Sequence, residues 1–288
     1  MGTEMQNLPS QTAKTAALLR AAHQLLEGGS IFPDPLALPM CGEDAGTLLP
    51  RMREHPELDR LRLFIAARSR FAEETLAGAV DRGVRQVVVL GAGLDTFGLR
   101  NPYADKGLRV FEVDRPATQQ WKRECLEKAN LQIPRWLSLV AVHFEREALF
   151  ERLKAAGFNV DRPAFFTWLG VIPYLSPETV LATLSLIARL PDAEIVFDYG
   201  EPPAAYPPER RARYEAMIAG AAAAGEPWLS FFNPDELAKA LTQLGFRELE
   251  DLSPRDVATR YFGEQSPPQN APGAHIVRAA VSLHQRTG

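Results

Sequence analysis

Gln86 to Asp95 reads QVVVLGAGLD, and Arg109 to Asp114 reads RVFEVD. In each, an apolar run ends on residues suited to meeting a ligand: Gly91, Ala92 and Gly93 in the first, the carboxylate of Asp114 in the second. Glycine lets the backbone turn sharply and lets a ligand approach where a Cβ would stand in the way. A carboxylate can accept hydrogen bonds from a ribose diol. Asp114 stands 21 residues beyond Gly93, close to the spacing of about 20 at which nucleotide-binding βαβ units carry that acid. The pair points to an adenosine-containing cofactor without saying which. Taken singly, each feature has a plainer use. The glycines can simply turn a strand into a helix, and Asp114 can cap the helix after Pro116.

A dinucleotide fingerprint, GxGxxG, would place a third glycine at position 96, where Thr96 stands. That glycine permits close helix–strand packing beneath a pyrophosphate. A cofactor without a pyrophosphate does not need it, and S-adenosylmethionine is such a cofactor. Its methionine end carries a carboxylate that calls for a cation. Arg68 and Arg70 lie just upstream and could each offer a bidentate fork. Residues two apart do not share a helical face, so at most one of them should point into a site. No tyrosine has a lysine four residues later, which counts against a short-chain reductase.

The elements that must position these residues show in the periodicity. Residues 12 to 82 read as helical, with Leu18, Leu19, Ala22, Leu25 and Leu26, then Leu58, Leu61, Phe64, Ile65 and Phe71, at helical spacing. IFPDPLALP, Ile31 to Pro39, is a proline-punctuated turn between them. From Arg85 strands and helices alternate. Strands are expected at 86–90, 108–113, 137–142, 163–169 and 193–199, in a parallel sheet covered on both faces. Ser176-Pro177-Glu178 and Asn233-Pro234-Asp235-Glu236 each offer an N-cap, a proline in the first turn and early acid. Val180, Leu181, Leu184 and Ile187 give the first of these helices an apolar face. EPPAAYPPER, Glu201 to Arg210, breaks the alternation and opens an alanine-rich helix to Ala224, an insertion suited to a lid. Phe246 to Leu252 and Ala274 to Leu283 are the last two expected strands, with a loop at Ser266 to Gly273.

The bulk properties exclude several classes. Of 288 residues 46% are apolar, enough for one large α/β domain with an elaboration, or for two small domains. A formal net charge of −4, with no basic stripe, gives no footprint for nucleic acid. Cys41 and Cys125 have no partner spacing, and His23, His55, His143, His275 and His284 do not sit at metal-ligand spacings, so no metal is expected. No apolar run reaches the ~18 residues of a membrane span. MGTEMQNLPSQTAK lacks the basic and apolar regions of a secretory signal, so a cytoplasmic location is expected. Oligomeric state is not readable.

VRQVVVLGAGLDTF, RVFEVDRPATQQWK, FIAARSRF around Arg68 and FFTWLGVIPYL together resemble the leucine carboxyl methyltransferase family. They are most similar to its bacterial branch of S-adenosylmethionine-dependent O-methyltransferases. The resemblance runs from about Thr12 to Val281, extended by GEPWLSFFNPDEL and by RYF at Arg260 to Phe262. It implies a Rossmann-like class I methyltransferase fold: an α/β protein with a seven-stranded, mostly parallel sheet whose last strand is antiparallel. A helical N-terminal cap over 1–82 would precede a methyltransferase domain over 83–288, with a helical insertion at about 201–232, forming one compact unit. Position by position, Arg68 would hold the cofactor carboxylate and Lys14 would be a second ligand for it. Gly91, Ala92, Gly93 and Asp95 would pass beneath the methionine portion. Asp114, with Arg115 beside it, would bind the ribose. Where the family commonly has aspartate and an apolar residue near the adenine, this chain has His143 and Phe144. Leu169 stands where the eukaryotic enzymes carry a glutamate, which weakens the case for a phosphatase C-terminal leucine as acceptor.

Ligands of open α/β sheets bind beyond the carboxyl ends of the strands. That places Tyr174, Asp198 and Tyr199 near the acceptor, with Tyr174 and Tyr199 as candidate catalytic residues and Trp168, Phe231 and Phe232 as apolar walls. Each of these also has an ordinary use in a core or a turn. The expected partner is a small-molecule acceptor methylated on a carboxylate or hydroxyl oxygen. A carboxylate needs no base, whereas a phenol or alcohol benefits from one. Two other readings stay open: a nicotinamide-dependent oxidoreductase, and a non-catalytic protein that binds S-adenosylmethionine.

Overall fold

A computed structural model describes residues 11–142, 149–223, 225–263 and 271–282. Five helices or turns come first: α1 (Gln11–Leu26), α2 (Ala37–Cys41), α3 (Ala45–Glu54), a 3-10 turn (Pro56–Leu58) and α4 (Asp59–Asp81). Alternation follows with β1 (Gln86–Leu90), α5 (Phe97–Arg100), β2 (Arg109–Asp114), α6 (Pro116–Lys128), β3 (Leu137–Ala141), α7 (Leu149–Ala155) and β4 (Phe165–Trp168). Then come a 3-10 turn (Ile172–Tyr174), α8 (Pro177–Ile187), β5 (Glu194–Gly200), a 3-10 turn (Pro203–Ala205) and α9 (Pro208–Ala223). The described chain finishes with α10 (Pro234–Leu244), β6 (Glu248–Leu252), α11 (Pro254–Tyr261) and β7 (Ala274–Ala280).

The seven strands form one sheet in the order β3-β2-β1-β4-β5-β7-β6. β1, β2 and β3 pair in parallel, as do β4 and β5. β7 is antiparallel to both β5 and β6, so the last strand runs against its neighbours as expected. All five residues of β1 are buried, the pattern of a parallel strand covered on both faces. β4 is shorter than the expected 163–169, because Pro163 has no N–H to give a ladder. None of the described helices is long and apolar enough to cross a membrane.

By internal packing the chain divides into two compact units. One draws on residues up to Val80 and on Arg85–Phe158; the other draws on Asp81–Val84 and the chain from Asn159 onward. In the first, α1 packs two ways. Leu19, Ala21 and Ala22 join Ala37, Leu48, Met52 and Ile65 in one buried cluster, and Ala17 joins Met40, Leu94 and Leu126 in another. At the end of α1 the buried His23 serves as a connector. Its Nε2 accepts from the backbone N–H of Ile31 at 3.2 Å and of Phe32 at 3.3 Å. That acceptor role leaves the ring proton on Nδ1, which donates to Glu27 at 3.0 Å. Glu27 in turn pairs with Arg62 at 2.7 Å, and Arg62 with Asp59 at 2.6 Å, fixing α1 to α4.

In the second unit the buried Glu194 of β5 lies between two arginines, Arg82 and Arg278 of β7, and Arg278 also reaches Glu248 of β6 at 3.0 Å. The anticipated caps are present. The Ser176 side chain accepts from the Thr179 N–H, and that of Asn233 from the N–H groups of Asp235 and Glu236. Val180, Leu184 and Ile187 bury the core face of α8 together with Thr183. By contrast α9 has no buried residue.

Replacing His23 by Leu leaves two backbone donors without their acceptor. We expect His23→Leu to lower the free energy of unfolding by about 2 kcal/mol, read as a drop in the urea midpoint at unchanged m-value. A wild-type midpoint would overturn the connector role.

Candidate active site

In the first unit, Leu90 pairs with Val113, so the chain leaves β1 beside the end of β2. There it turns through Gly91 and Gly93, whose φ values of 65° and 50° lie in the left-handed region that favours glycine. Ala92 N–H donates to the Val113 carbonyl at 3.0 Å. Gly93 N–H donates to Asp114 Oδ2 at 2.7 Å, and Arg115 N–H to Asp114 Oδ1 at 2.7 Å. The acid is therefore fastened to the glycine turn rather than used as a helix cap alone. Each carboxylate oxygen has accepted one backbone bond and can accept another. Burial raises the Asp114 carboxyl above its ordinary range, against the pull of the two N–H groups and the Arg115 charge.

Three cations hold the next three residues of the turn. Arg20 of α1 donates to the Leu94 carbonyl at 2.8 Å, Lys122 of α6 to the Asp95 carbonyl at 2.6 Å, and Arg100 of α5 to the Thr96 hydroxyl at 3.1 Å. Each has an acidic partner. Arg20 pairs with Asp34 at 2.9 Å, Arg100 with Glu73 at 2.6 Å, and the buried Lys122 with the buried Glu112. Desolvation pushes the Glu112 carboxyl up and the Lys122 charge holds it down. Thr96, in place of a third glycine, is itself fully enclosed and donates to Asp34 Oδ1 at 2.7 Å. The departure from the dinucleotide pattern is thus a hydroxyl put to use.

Of the two candidate arginines, Arg68 is buried, its guanidinium 5.9 Å from the Phe64 ring centre, while Arg70 is exposed and pairs with Glu74 at 2.5 Å. Lys14 sits on the first turns of α1 and pairs with Glu43 at 3.7 Å. Its neighbour Ala13 closes over the glycine turn: a Cβ on Gly93 would lie 2.8 Å from the Ala13 Cβ. The Asp95 side chain accepts from Phe97 N–H at 2.7 Å, and Arg115 begins α6 as its N-cap. His143 and Phe144 lie outside the described residues. The glycine turn and Asp114 are brought together by direct hydrogen bonding, and their chemistry, backbone without a Cβ beside a carboxylate, suits the sugar and backbone approach of S-adenosylmethionine; Arg68 is a buried guanidinium elsewhere on α4. Asp34, Arg20, Arg100 and Lys122 escape a reading by local pattern. The only cue to Asp34 is its place between Pro33 and Pro35.

In the second unit, the carboxyl end of β5 carries a polar chain. Tyr199 is buried, donates its hydroxyl to Asp251 of β6 at 2.7 Å and stacks on His275 of β7 at 4.9 Å. His275 bonds Asp251 through Nδ1 at 2.8 Å and Glu201 through Nε2 at 3.1 Å. Two carboxylate partners make both ring nitrogens donors, the imidazolium form. Burial pulls the His275 pKa down, but Asp251 and Glu201 outweigh it and leave it raised. Burial, then Asp251, pushes the Tyr199 phenol well above its usual value, so it is neutral at pH 7. Asp198 accepts from Gly170 N–H at 2.6 Å, tying the end of β5 to the chain after β4. Tyr174 is half-buried in the turn after β4, and Trp168, the last residue of β4, is fully buried.

Because the His275 pKa is raised on folding, its stabilisation is complete below the unfolded value of about 6.5 and is lost as pH rises through the folded value. The unfolding free energy of wild type should therefore exceed that of His275→Gln most at pH 6, with the gap narrowing toward pH 9 in urea titrations. A gap independent of pH would contradict the imidazolium assignment.

The family model of leucine carboxyl methyltransferase matches residues 13–188. A Bacillus subtilis protein named "Putative S-adenosyl-L-methionine-dependent methyltransferase YktD" is 32% identical over 290 residues, spanning 90% of this chain and 93% of its own. The crystal structure of a "putative methyltransferase" from Thermobifida fusca superposes with a TM-score of 0.58 at 16% identity, over 96% of both chains. That of CurJ carbon methyltransferase superposes at 0.53 and 15% identity, over 95% of this chain and 68% of its own. These two solved structures share the fold. With the methyltransferase family matched over both the glycine turn and Asp114, the nicotinamide alternative falls away. The chain belongs to the leucine carboxyl methyltransferase family, whose relatives are S-adenosylmethionine-dependent methyltransferases.

Proposed function

We propose that the protein transfers a methyl group to an oxygen of a small-molecule acceptor, and that this oxygen belongs to a carboxylate. The observation that carries this reading is the state of the titratable groups at the carboxyl end of β5. The Tyr199 hydroxyl donates a hydrogen bond to Asp251, and His275 donates from both nitrogens. Neither is free to take a proton from an alcohol or phenol. A carboxylate acceptor arrives already anionic and needs no base.

S-adenosylmethionine supplies an electrophilic methyl carbon on a sulfonium, open to in-line displacement. The chain's share is then to bind, orient and keep out water. In this reading Asp114 accepts from the ribose hydroxyls with the lone pairs its two N–H bonds leave over. Arg68 takes the methionine carboxylate, with Lys14 a second cation for it. Gly91, Ala92 and Gly93 pass beneath the cofactor, with Asp95 and Arg115 flanking. His143 and Phe144 are assigned to the adenine by the family resemblance. Tyr174 and Tyr199 orient the acceptor, Tyr199 as a neutral phenol held by Asp251.

Asp114→Ala and Arg68→Ala should each weaken S-adenosylmethionine binding by about tenfold or more in calorimetric titration, with thermal unfolding still cooperative. Wild-type affinity in both would remove the site assignment. Incubation with methyl-labelled S-adenosylmethionine and a panel of carboxylic acids and phenols should give a labelled ester that releases methanol in base. Label that appears only in base-stable ethers would overturn the carboxylate reading.

A further inference from the structure

The glycine turn and Asp114 are joined twice. One join is direct: Gly93 N–H donates to Asp114 Oδ2 at 2.7 Å. The other passes through Lys122, whose ammonium donates to the Asp95 carbonyl at 2.6 Å and to Glu112 Oε2. Asp95 stands two residues after Gly93, and Glu112 two residues before Asp114. The two joins therefore tie the same two stretches of chain at neighbouring points. Arg20 and Arg100 also grip this turn, at Leu94 and Thr96, but they pair with Asp34 and Glu73. Of the three cations, Lys122 is the one bonded to the strand that ends in Asp114.

The chain delivers this ammonium locally. α6 begins at Pro116, directly beyond Asp114 and Arg115, and its buried side carries Thr118, Gln119, Lys122 and Leu126 at helical spacing. Gln119 Nε2, about one turn before Lys122, donates to the Glu112 carbonyl at 2.8 Å, so α6 meets Glu112 through both its backbone and its side chain. Lys122 is 1% exposed and Glu112 is fully buried. Burial favours the protonated form of Glu112, and the Asp95 and Asp114 carboxylates add to that, while Lys122 opposes them. The second Glu112 oxygen faces Gly98, where a Cβ would stand 2.7 Å away, and among the described residues it has no partner. A buried pair on these terms adds little stability beyond two apolar side chains of the same size, and its use lies in fixing register.

We infer that Lys122 is a positioning residue for S-adenosylmethionine, holding the glycine turn and Asp114 at the separation that grips the ribose. It acts through those groups and does not itself meet the cofactor. Without the ammonium the Asp95 carbonyl loses its donor, and the turn leans on the Ala92 and Gly93 N–H bonds to β2. Gly91 and Gly93, both at positive φ, give that stretch of backbone freedom to shift. Hydrogen bonds from a diol weaken steeply once distance and angle leave a narrow range, so a small shift of the acid against the turn loosens the grip. The inference rests on the reading of Asp114 as the ribose ligand and deepens it.

Calorimetric titration of the full chain with S-adenosylhomocysteine tests it through a double-mutant cycle. Lys122→Met should weaken binding about tenfold, and Asp114→Ala by at least as much. The double variant should be about as weak as Asp114→Ala alone, because the lysine acts through the acid. A residue that only stabilised the fold would lower the thermal midpoint and leave the affinity of the folded protein as it was. Lys122→Met combined with Glu112→Leu removes the pair and leaves no lone buried charge, so the fold is kept. That variant too should bind about tenfold more weakly. With Asp114→Ala weakened, wild-type affinity in Lys122→Met or in the pair variant sinks the positioning role alone, as do losses that multiply in the cycle. Wild-type affinity in Asp114→Ala removes the ribose reading, and the positioning role with it.

Discussion

Asp34 is 1% exposed, and a carboxylate so enclosed is tolerated only when its charge is met and its oxygens are bonded. Here Oδ2 accepts from Arg20 and Oδ1 from Thr96, with the Arg100 guanidinium 3.7 Å away. Those partners come from α1, the glycine turn and α5. To satisfy one buried acid, the fold must therefore bring the N-terminal helix, the turn after β1 and the helix after it to one point. Arg20 then has a donor left for the Leu94 carbonyl. Removing the acid would leave Arg20 without its charge partner and the Thr96 hydroxyl without its acceptor, so the network holds or fails as a set.

The same arrangement explains which parts of the molecule were readable in the chain. Parallel strands buried on both faces are continuous apolar runs, and Val87–Leu90 and Val110–Val113 stand out as such. The glycine turn and Asp114 are legible because their relation is local and fixed by one βαβ unit. Arg20 and Leu94 are 74 residues apart, as are His275 and Glu201. A buried arginine and a solvated one look alike until the fold supplies the partner. Arg68 and Arg70 show the limit well: helical spacing says that only one can face inward, and only the structure says which.

The two units handle buried charge in one style. In the first, each cation on the turn has its own acid. In the second, Glu194 sits between Arg82 and Arg278, and His275 between Asp251 and Glu201. These pairs join elements distant in sequence, and their worth lies in register as much as in energy. Tyr199 illustrates what such fixing does to chemistry. Bonded to Asp251 and stacked on His275, it becomes an oriented donor rather than a base.

α9 contrasts with all of this. Sixteen residues of helix without a buried side chain add little to the folding free energy. Most substitutions along it are then nearly neutral for stability, whereas a change at Thr96, whose hydroxyl accepts from Arg100 and donates to Asp34, disturbs a buried charge. Mutational drift is cheap in the segment that carries Tyr214 and dear in the turn beside Asp114. Such a chain can vary along that helix over evolutionary time while the turn beside Asp114 stays put.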